Sequence, residues 1–194
     1  MKALIQAVVK ASKTAALAAV AALFFSATAT AGVLDFNAEE RARIFSHGPW
    51  PPAPLADASN RVDGRPEAIE LGRQLFFDPA LSSSGRLACA SCHQPARAFT
   101  DGQATARSHR NTPSLLDAGQ RRWFGWDGAH DNLWSASLAP LLAGHEMAAT
   151  SATLAKRLQR GGESGGPHRL YRDLFGAPSV DASLPVNLAK ALAA

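Results

Sequence analysis

Two cysteines and a histidine stand together at Cys89-Ala90-Ser91-Cys92-His93, and the 194-residue chain contains no other cysteine. This spacing suits three chemistries: a dithiol–disulfide pair, half of a zinc site, or covalent attachment of haem. A zinc site needs two further Cys or His ligands at matching spacing, and there is no second CxxC. A thioredoxin-like pair needs a βαβ setting, and no alternating strand pattern surrounds the motif. Haem attachment fits best. Two thiols one helical turn apart add across the two vinyl groups, and the histidine that follows aims its imidazole at the iron. Cys89, Cys92 and His93 are therefore expected to hold one haem c, with His93 as proximal iron ligand.

Haem attachment of this type occurs on translocated chains, and the N-terminal segment reads as an export signal. Lys2, Lys10 and Lys13 form a basic start, and Ala15 to Phe25 is an apolar run too short for a comfortable membrane span. Ala29-Thr30-Ala31 has the small-x-small pattern of a cleavage site, which makes residues 1–31 a signal peptide. A retained anchor would want a stop-transfer pattern or a charged flank, and neither follows. The expected location is periplasmic, with no stable membrane span after signal removal. Without the three lysines, the formal charge of +4 falls to 17 basic against 16 acidic residues. That balance gives no electrostatic case for nucleic acid or for an anionic membrane surface. Hydrophobic content of 46% is enough for a globular core.

The elements that must position the motif are helices. Residues 32–61 read as an extended N-terminal arm. It contains a short helix within Asp35–Phe45, then a stretch from His47 to Pro54 whose prolines forbid regular helix. A helix opens at Pro66, with Ile69, Leu71, Leu75 and Phe76 as its apolar face, and Asp78-Pro79 stops it. Ser82 to Gly85 is a loop, Cys89 to His93 opens a short helix, and residues 94–113 form an ordered loop. Further helices are expected at Asp131–Leu142, Ser151–Arg160 and Pro167–Phe175, capped by Asp131 or Asn132 and by Thr150 or Ser151. A last helix opens near Pro185 with no stop signal before Ala194. The expected fold is mainly α: a c-type cytochrome domain with long ordered loops over residues 62–184. Residues 185–194 then start a helix leading to a missing second domain, in a truncated N-terminal half of a two-domain dihaem protein.

Beyond the motif, several segments carry a likeness. They are Leu71-Gly72-Arg73-Gln74-Leu75-Phe76-Phe77-Asp78-Pro79, Leu87 to His93, Ala98-Phe99-Thr100-Asp101-Gly102, Arg110-Asn111-Thr112-Pro113-Ser114-Leu115, Phe124-Gly125-Trp126-Asp127-Gly128 and Glu146-Met147. In order and spacing they resemble the N-terminal haem domain of the bacterial dihaem cytochrome c peroxidases, including the methylamine-utilisation branch. The resemblance covers about residues 62–194. It implies a peroxidatic haem that reduces hydrogen peroxide with electrons from a small donor protein, a cytochrome c or cupredoxin. It further implies that His93 is the proximal ligand, Trp126 an electron relay between haems, and Glu146 the distal acid that helps cleave peroxide. Asn111 matches a calcium ligand whose companions lie in a second domain. His109 lies in the loop where some members carry a switchable distal histidine, at a shorter offset. An open or weakly ligated sixth position is expected, with His109 as the alternative. Two departures bear on the distal pocket: Ala136 stands where the family often has Gln, and Ala129 replaces the Arg of its Trp-Asp-Gly-Arg.

Glu146 suits the task because peroxide heterolysis moves a proton from the inner to the outer oxygen, which a carboxyl does as a general acid–base. An indole such as that of Trp126 oxidises more readily than most side chains, but a tryptophan more commonly serves the core. His145 adjoins Glu146 and can tune it; His130 and His168 read as surface residues. Trp123, Trp126 and Trp134 read as a cluster near a haem edge. A branch found near methanobactin gene clusters resembles this region and oxidises a tryptophan on a partner protein. Oxidation of a protein substrate is therefore one alternative. A monohaem electron carrier is the other, but it wants a stable Met or His sixth ligand, and Met147 beside Glu146 is a poor match to a carrier's methionine loop.

Overall fold

The computed structural model describes residues 35–48, 55–103, 110–160 and 166–194. The expected signal peptide (residues 1–31), most of the proline arm and His109 lie outside the described residues. The chain divides into two compact units, residues 1–52 and 53–194.

The first unit holds helix α1 (Ala38–Ser46). A reciprocal cap starts it: the Asn37 side chain accepts from the Glu40 N–H at 2.9 Å, and the Glu40 carboxylate accepts from the Asn37 N–H at 2.8 Å. These bonds satisfy main-chain donors that the first turn leaves without partners. The helix coincides closely with the one expected.

The second unit contains α2 (Pro66–Phe76), α3 (Cys89–Cys92), α4 (Leu133–Leu142), α5 (Ser151–Gln159), α6 (Gly166–Phe175) and α7 (Ser183–Leu192). Short 3-10 turns lie at Pro79–Leu81, Pro95–Arg97 and Ala118–Gln120. The described residues form no strand, only isolated antiparallel bridges at Gln94–Thr100 and Phe124–His130. The fold is mainly α, as the sequence pattern implies.

Helix α7 is the centre of the packing and lies against α2, α4 and α5, while α6 packs on α2. Leu71 and Leu75 of α2, Leu154 and Leu158 of α5, and Leu184 and Leu188 of α7 are almost completely buried. Each pair sits one helical turn apart, so each helix turns one apolar stripe inward. Helices α2 and α7 touch backbone to backbone at Gly72. A Cβ placed there would lie 2.1 Å from the Ala191 carbonyl oxygen, so glycine is required for this approach. Asp78 ends α2 as expected. It accepts from the Ala80 N–H at 2.9 Å and pairs with Arg157 of α5 through a largely buried ion pair.

Helix α7 spans Ser183–Leu192, opening two residues before Pro185, and its Leu184 and Leu188 fill the core of this same unit. Two expectations are corrected. His168 is not on the surface: it is 7% exposed, because it lies one turn from Tyr171 on the inner face of α6. Ile69, expected on the apolar face of α2, points outward at 49% exposure, and Ala68 takes the inner position.

Candidate functional site

Helix α3 is a single turn that presents both cysteines. Ser91 closes it from within: its hydroxyl accepts from the Ala88 N–H at 3.0 Å, and its own N–H donates to the Ala88 carbonyl at 3.0 Å. The His93 N–H donates to the Cys89 carbonyl at 2.9 Å and so fixes the histidine directly after the turn. Cys89 is partly buried against the core and Cys92 is exposed; no disulfide joins them. Burial pushes the Cys89 thiol up to about 11, so at neutral pH it is protonated.

The imidazole of His93 is held by a residue to which the sequence assigned no role. Its Nδ1 lies 3.1 Å from the main-chain carbonyl of Phe99. A carbonyl only accepts, so Nδ1 must carry the proton, and Nε2 keeps the lone pair that a metal needs. The intervening loop doubles back through the Gln94–Thr100 bridge, with the Phe99 N–H donating to the Gln94 carbonyl at 2.9 Å. Turning Phe99 this way forces both Ala98 (φ 53°) and Phe99 (φ 58°) into the left-handed region. Non-glycine residues held there cost on the order of 1–3 kcal/mol each and persist where surrounding contacts hold them. The Phe99 ring packs edge-on to Phe76, with centroids 6.2 Å apart, and Phe76 meets Phe77 in the same manner at 5.0 Å. Phe77, 51% exposed, ends this row of aromatic rings. Paired thiols on one turn, a tautomer that offers Nε2 and an apolar flank fit covalent haem.

Trp126 sits on a tight loop closed by the Phe124–His130 bridge, whose bonds measure 2.8 and 3.3 Å. Gly125 (φ 84°) and Gly128 (φ 68°) supply left-handed turns on either side of it. The indole N–H donates to the Asn111 carbonyl at 3.1 Å, which joins two of the residues singled out by sequence. Trp126 is exposed, as is Trp123, so neither is a core tryptophan in this unit. Trp134 has other neighbours: its Nε1 donates to Ser59 Oγ at 2.8 Å, and Lys190 Nζ lies 5.2 Å from its ring centre. It ties α4 to α7.

Glu146 projects from the turn that folds back after α4, where the Met147 N–H reaches the Pro140 carbonyl at 3.2 Å and the Ala149 N–H reaches Leu141 at 2.8 Å. Its carboxyl is 43% exposed, and His145 Nε2 lies 3.5 Å from Oε1, so the expected neighbour is in place. Met147 is 6% exposed and packed into the core. Ala136 is half-buried on α4, the helix that leads to Glu146. The Asn111 side chain is exposed, and the described residues contain no group of three or more His, Cys, Asp or Glu placed to hold a metal ion.

A family model described as di-haem cytochrome c peroxidase matches residues 66–194. The chain is 33% identical over 141 residues to the cytochrome-c peroxidase IdrP2 of a Pseudomonas species (strain SCT), covering 69% of this chain and 38% of that one. It is 36% identical over 135 residues to the methylamine utilization protein MauG of Methylophilus methylotrophus, covering 66% of this chain and 38% of that protein. It thus spans well under half the length of these relatives. Among solved structures, a MauG-like protein associated with microbial copper homeostasis superposes with a TM-score of 0.58 at 27% identity, over 75% of this chain and 45% of that one. The diheme peroxidase BthA of Burkholderia thailandensis superposes with a TM-score of 0.55 at 32% identity, over 66% and 37% respectively.

Proposed function

Because the chain belongs to the di-haem cytochrome c peroxidase family, we propose that residues 62–184 form a peroxide-reacting haem domain of a periplasmic oxidoreductase, delivered there by the signal peptide of residues 1–31. The observation that carries this reading is the His93 Nδ1–Phe99 carbonyl contact of 3.1 Å, which leaves Nε2 as the metal-binding nitrogen next to two thiols. Cys89 and Cys92 would hold the haem through thioether bonds and His93 would ligate its iron through Nε2. When bound, haem would supply the redox-active iron for peroxide chemistry.

The protein's own residues manage protons and electrons. The Glu146 carboxylate takes the proton from the inner peroxide oxygen and returns it to the outer one, which leaves as water. His145 Nε2 lies 3.5 Å from that carboxyl. Trp126 relays electrons, oriented by its bond to Asn111. Peroxide reduction uses two electrons and two protons to give two waters, and the electrons come from a small cytochrome c or cupredoxin. The iron would keep an open or weakly held site for peroxide, with His109 as the alternative ligand there, and Asn111 would offer one ligand toward calcium.

The exposure of Trp123 and Trp126, 68% and 64%, favours a second reading. In it the same site uses peroxide to oxidise a partner protein, with the aromatic edge as the electron path. One experiment separates the two. Haem-loaded protein is given peroxide with a reduced small cytochrome or cupredoxin, and oxidation of the donor is followed optically. Donor oxidation that stops when peroxide is exhausted supports the first reading. Peroxide consumption with the donor left reduced, and with oxidative marks on an added protein, replaces it with the second. Neither reaction, in protein carrying covalent haem, refutes both.

A further inference from the structure

We propose that Ser114 is a positioning residue for the proximal histidine and sets the redox potential of its haem through the Phe99 peptide. The inference rests on the reading that His93 ligates haem iron. The Ser114 hydroxyl donates to the Ala98 carbonyl at 2.6 Å, across sixteen residues of sequence. The same oxygen accepts from the Leu116 N–H at 3.1 Å, which directs its proton toward Ala98. The peptide it grips joins the two left-handed residues, Ala98 and Phe99. The carbonyl of Phe99, one residue on, holds His93 Nδ1.

The physical chain is short. Left-handed alanine and phenylalanine relax toward right-handed or extended backbone unless something outside them resists. Ties within the loop are the Phe99 N–H to the Gln94 carbonyl at 2.9 Å and Arg97 Nη1 to the Asp101 carbonyl at 2.9 Å, while the Phe76 ring holds the Phe99 ring. Ser114 adds an anchor from outside the loop, on the carbonyl side of the peptide whose N–H Gln94 holds, and so helps keep the Phe99 oxygen on the imidazole. An imidazole that donates from Nδ1 is a more basic ligand at Nε2, and a more basic ligand favours ferric over ferrous iron. Loss of the tether weakens that bond and raises the midpoint potential. The segment that carries Ser114 also carries the Asn111 carbonyl that holds Trp126. One strap thus anchors both the histidine loop and the tryptophan loop.

The test uses the full chain matured with haem, as wild type, Ser114→Ala and Ser114→Thr. Covalent haem is verified by mass and by haem stain, and the midpoint potential is measured by spectroelectrochemical titration. The alanine variant should keep its haem and shift to a more positive potential, and threonine, which restores the hydroxyl, should return it to the wild-type value. An unmoved potential in the haem-bearing alanine variant overturns the proposal, as does an equal shift in both variants. If the alanine variant does not mature, Ser114→Cys takes its place. Its weaker donor should shift the potential in the same direction, and an unchanged value again overturns the proposal. A wild-type chain that takes up no covalent haem refutes the underlying ligation reading, whereas haem present with an unmoved potential sinks only the role of Ser114.

Discussion

The indole nitrogen of Trp126 donates to the main-chain carbonyl of Asn111 at 3.1 Å, so a side chain that is 64% exposed is still held in a defined orientation. An exposed aromatic ring that is nonetheless hydrogen-bonded suits a residue that must present a face. Trp126→Phe keeps most of the ring and removes both the N–H and the readily oxidised indole. Electron transfer from a donor to the peroxide-treated protein should slow by about tenfold or more, equivalent to about 1.4 kcal/mol in barrier. Thermal stability should change by no more than about 1 kcal/mol, since one exposed hydrogen bond is lost. Stopped-flow mixing and thermal melts check the two halves.

Glu146 extends from a turn fixed by main-chain bonds to Pro140 and Leu141. Replacing its carboxyl should therefore leave the backbone unchanged. Glu146→Gln should reduce the rate of reaction with peroxide by about 100-fold, within the range of general acid–base contributions. Haem content and midpoint potential should match wild type. A variant that reacts with peroxide as fast as the parent would remove Glu146 from the chemistry.

The contact between α2 and α7 tests the fold separately from the chemistry. Gly72→Ala places a methyl group 2.1 Å from the Ala191 carbonyl oxygen, where neither helix backbone can yield cheaply. Overpacking of this kind costs about 1–3 kcal/mol or more, read as a lowered midpoint in urea unfolding. Gly119→Ala is the control: a methyl group there meets nothing within 4 Å, and its effect should stay within about 0.5 kcal/mol.

Much of this architecture can be read from residue types. Pro66, Asp78 and Thr150 mark helix boundaries by local chemistry, and the stripes of leucine in α2, α5 and α6 give the inward faces. The haem-binding triplet is legible because its spacing is a chemical requirement. What holds it is not. Nothing in the propensities of Ala98 and Phe99 foretells left-handed backbone, since that conformation is imposed by Ser114 and by the bridge at Gln94–Thr100. The burial of His168 is hidden for a similar reason. A polar residue on an apolar stripe reads as an exception until the facing helix is known, and its Nδ1 is buried without a hydrogen-bond partner among the described residues. The role of α7 is hidden because its apolar pattern says that it packs, not against what.

Glu70 gives a pH signature. Its carboxylate accepts from Arg73 and Gln74 on the same helix, and the Arg73 hydrogen bond is the leading cause that lowers it from 4.5 to about 2. A carboxyl held below its unfolded value stabilises the fold above that value and loses the contribution as pH falls through the folded one. The melting-temperature gap between wild type and Glu70→Gln should therefore be constant down to about pH 4.5 and close between pH 4.5 and 2. Salt should narrow it, because the pair is exposed.

The most direct test of the central claim is the optical and EPR spectrum of the protein matured with haem, recorded before and after peroxide. A covalently bound haem with a high-spin ferric signal, whose spectrum changes on adding peroxide, is the result predicted by His93 ligation and an open sixth position. A purely low-spin spectrum in both redox states, unmoved by peroxide, would contradict a peroxide-reacting site in this domain.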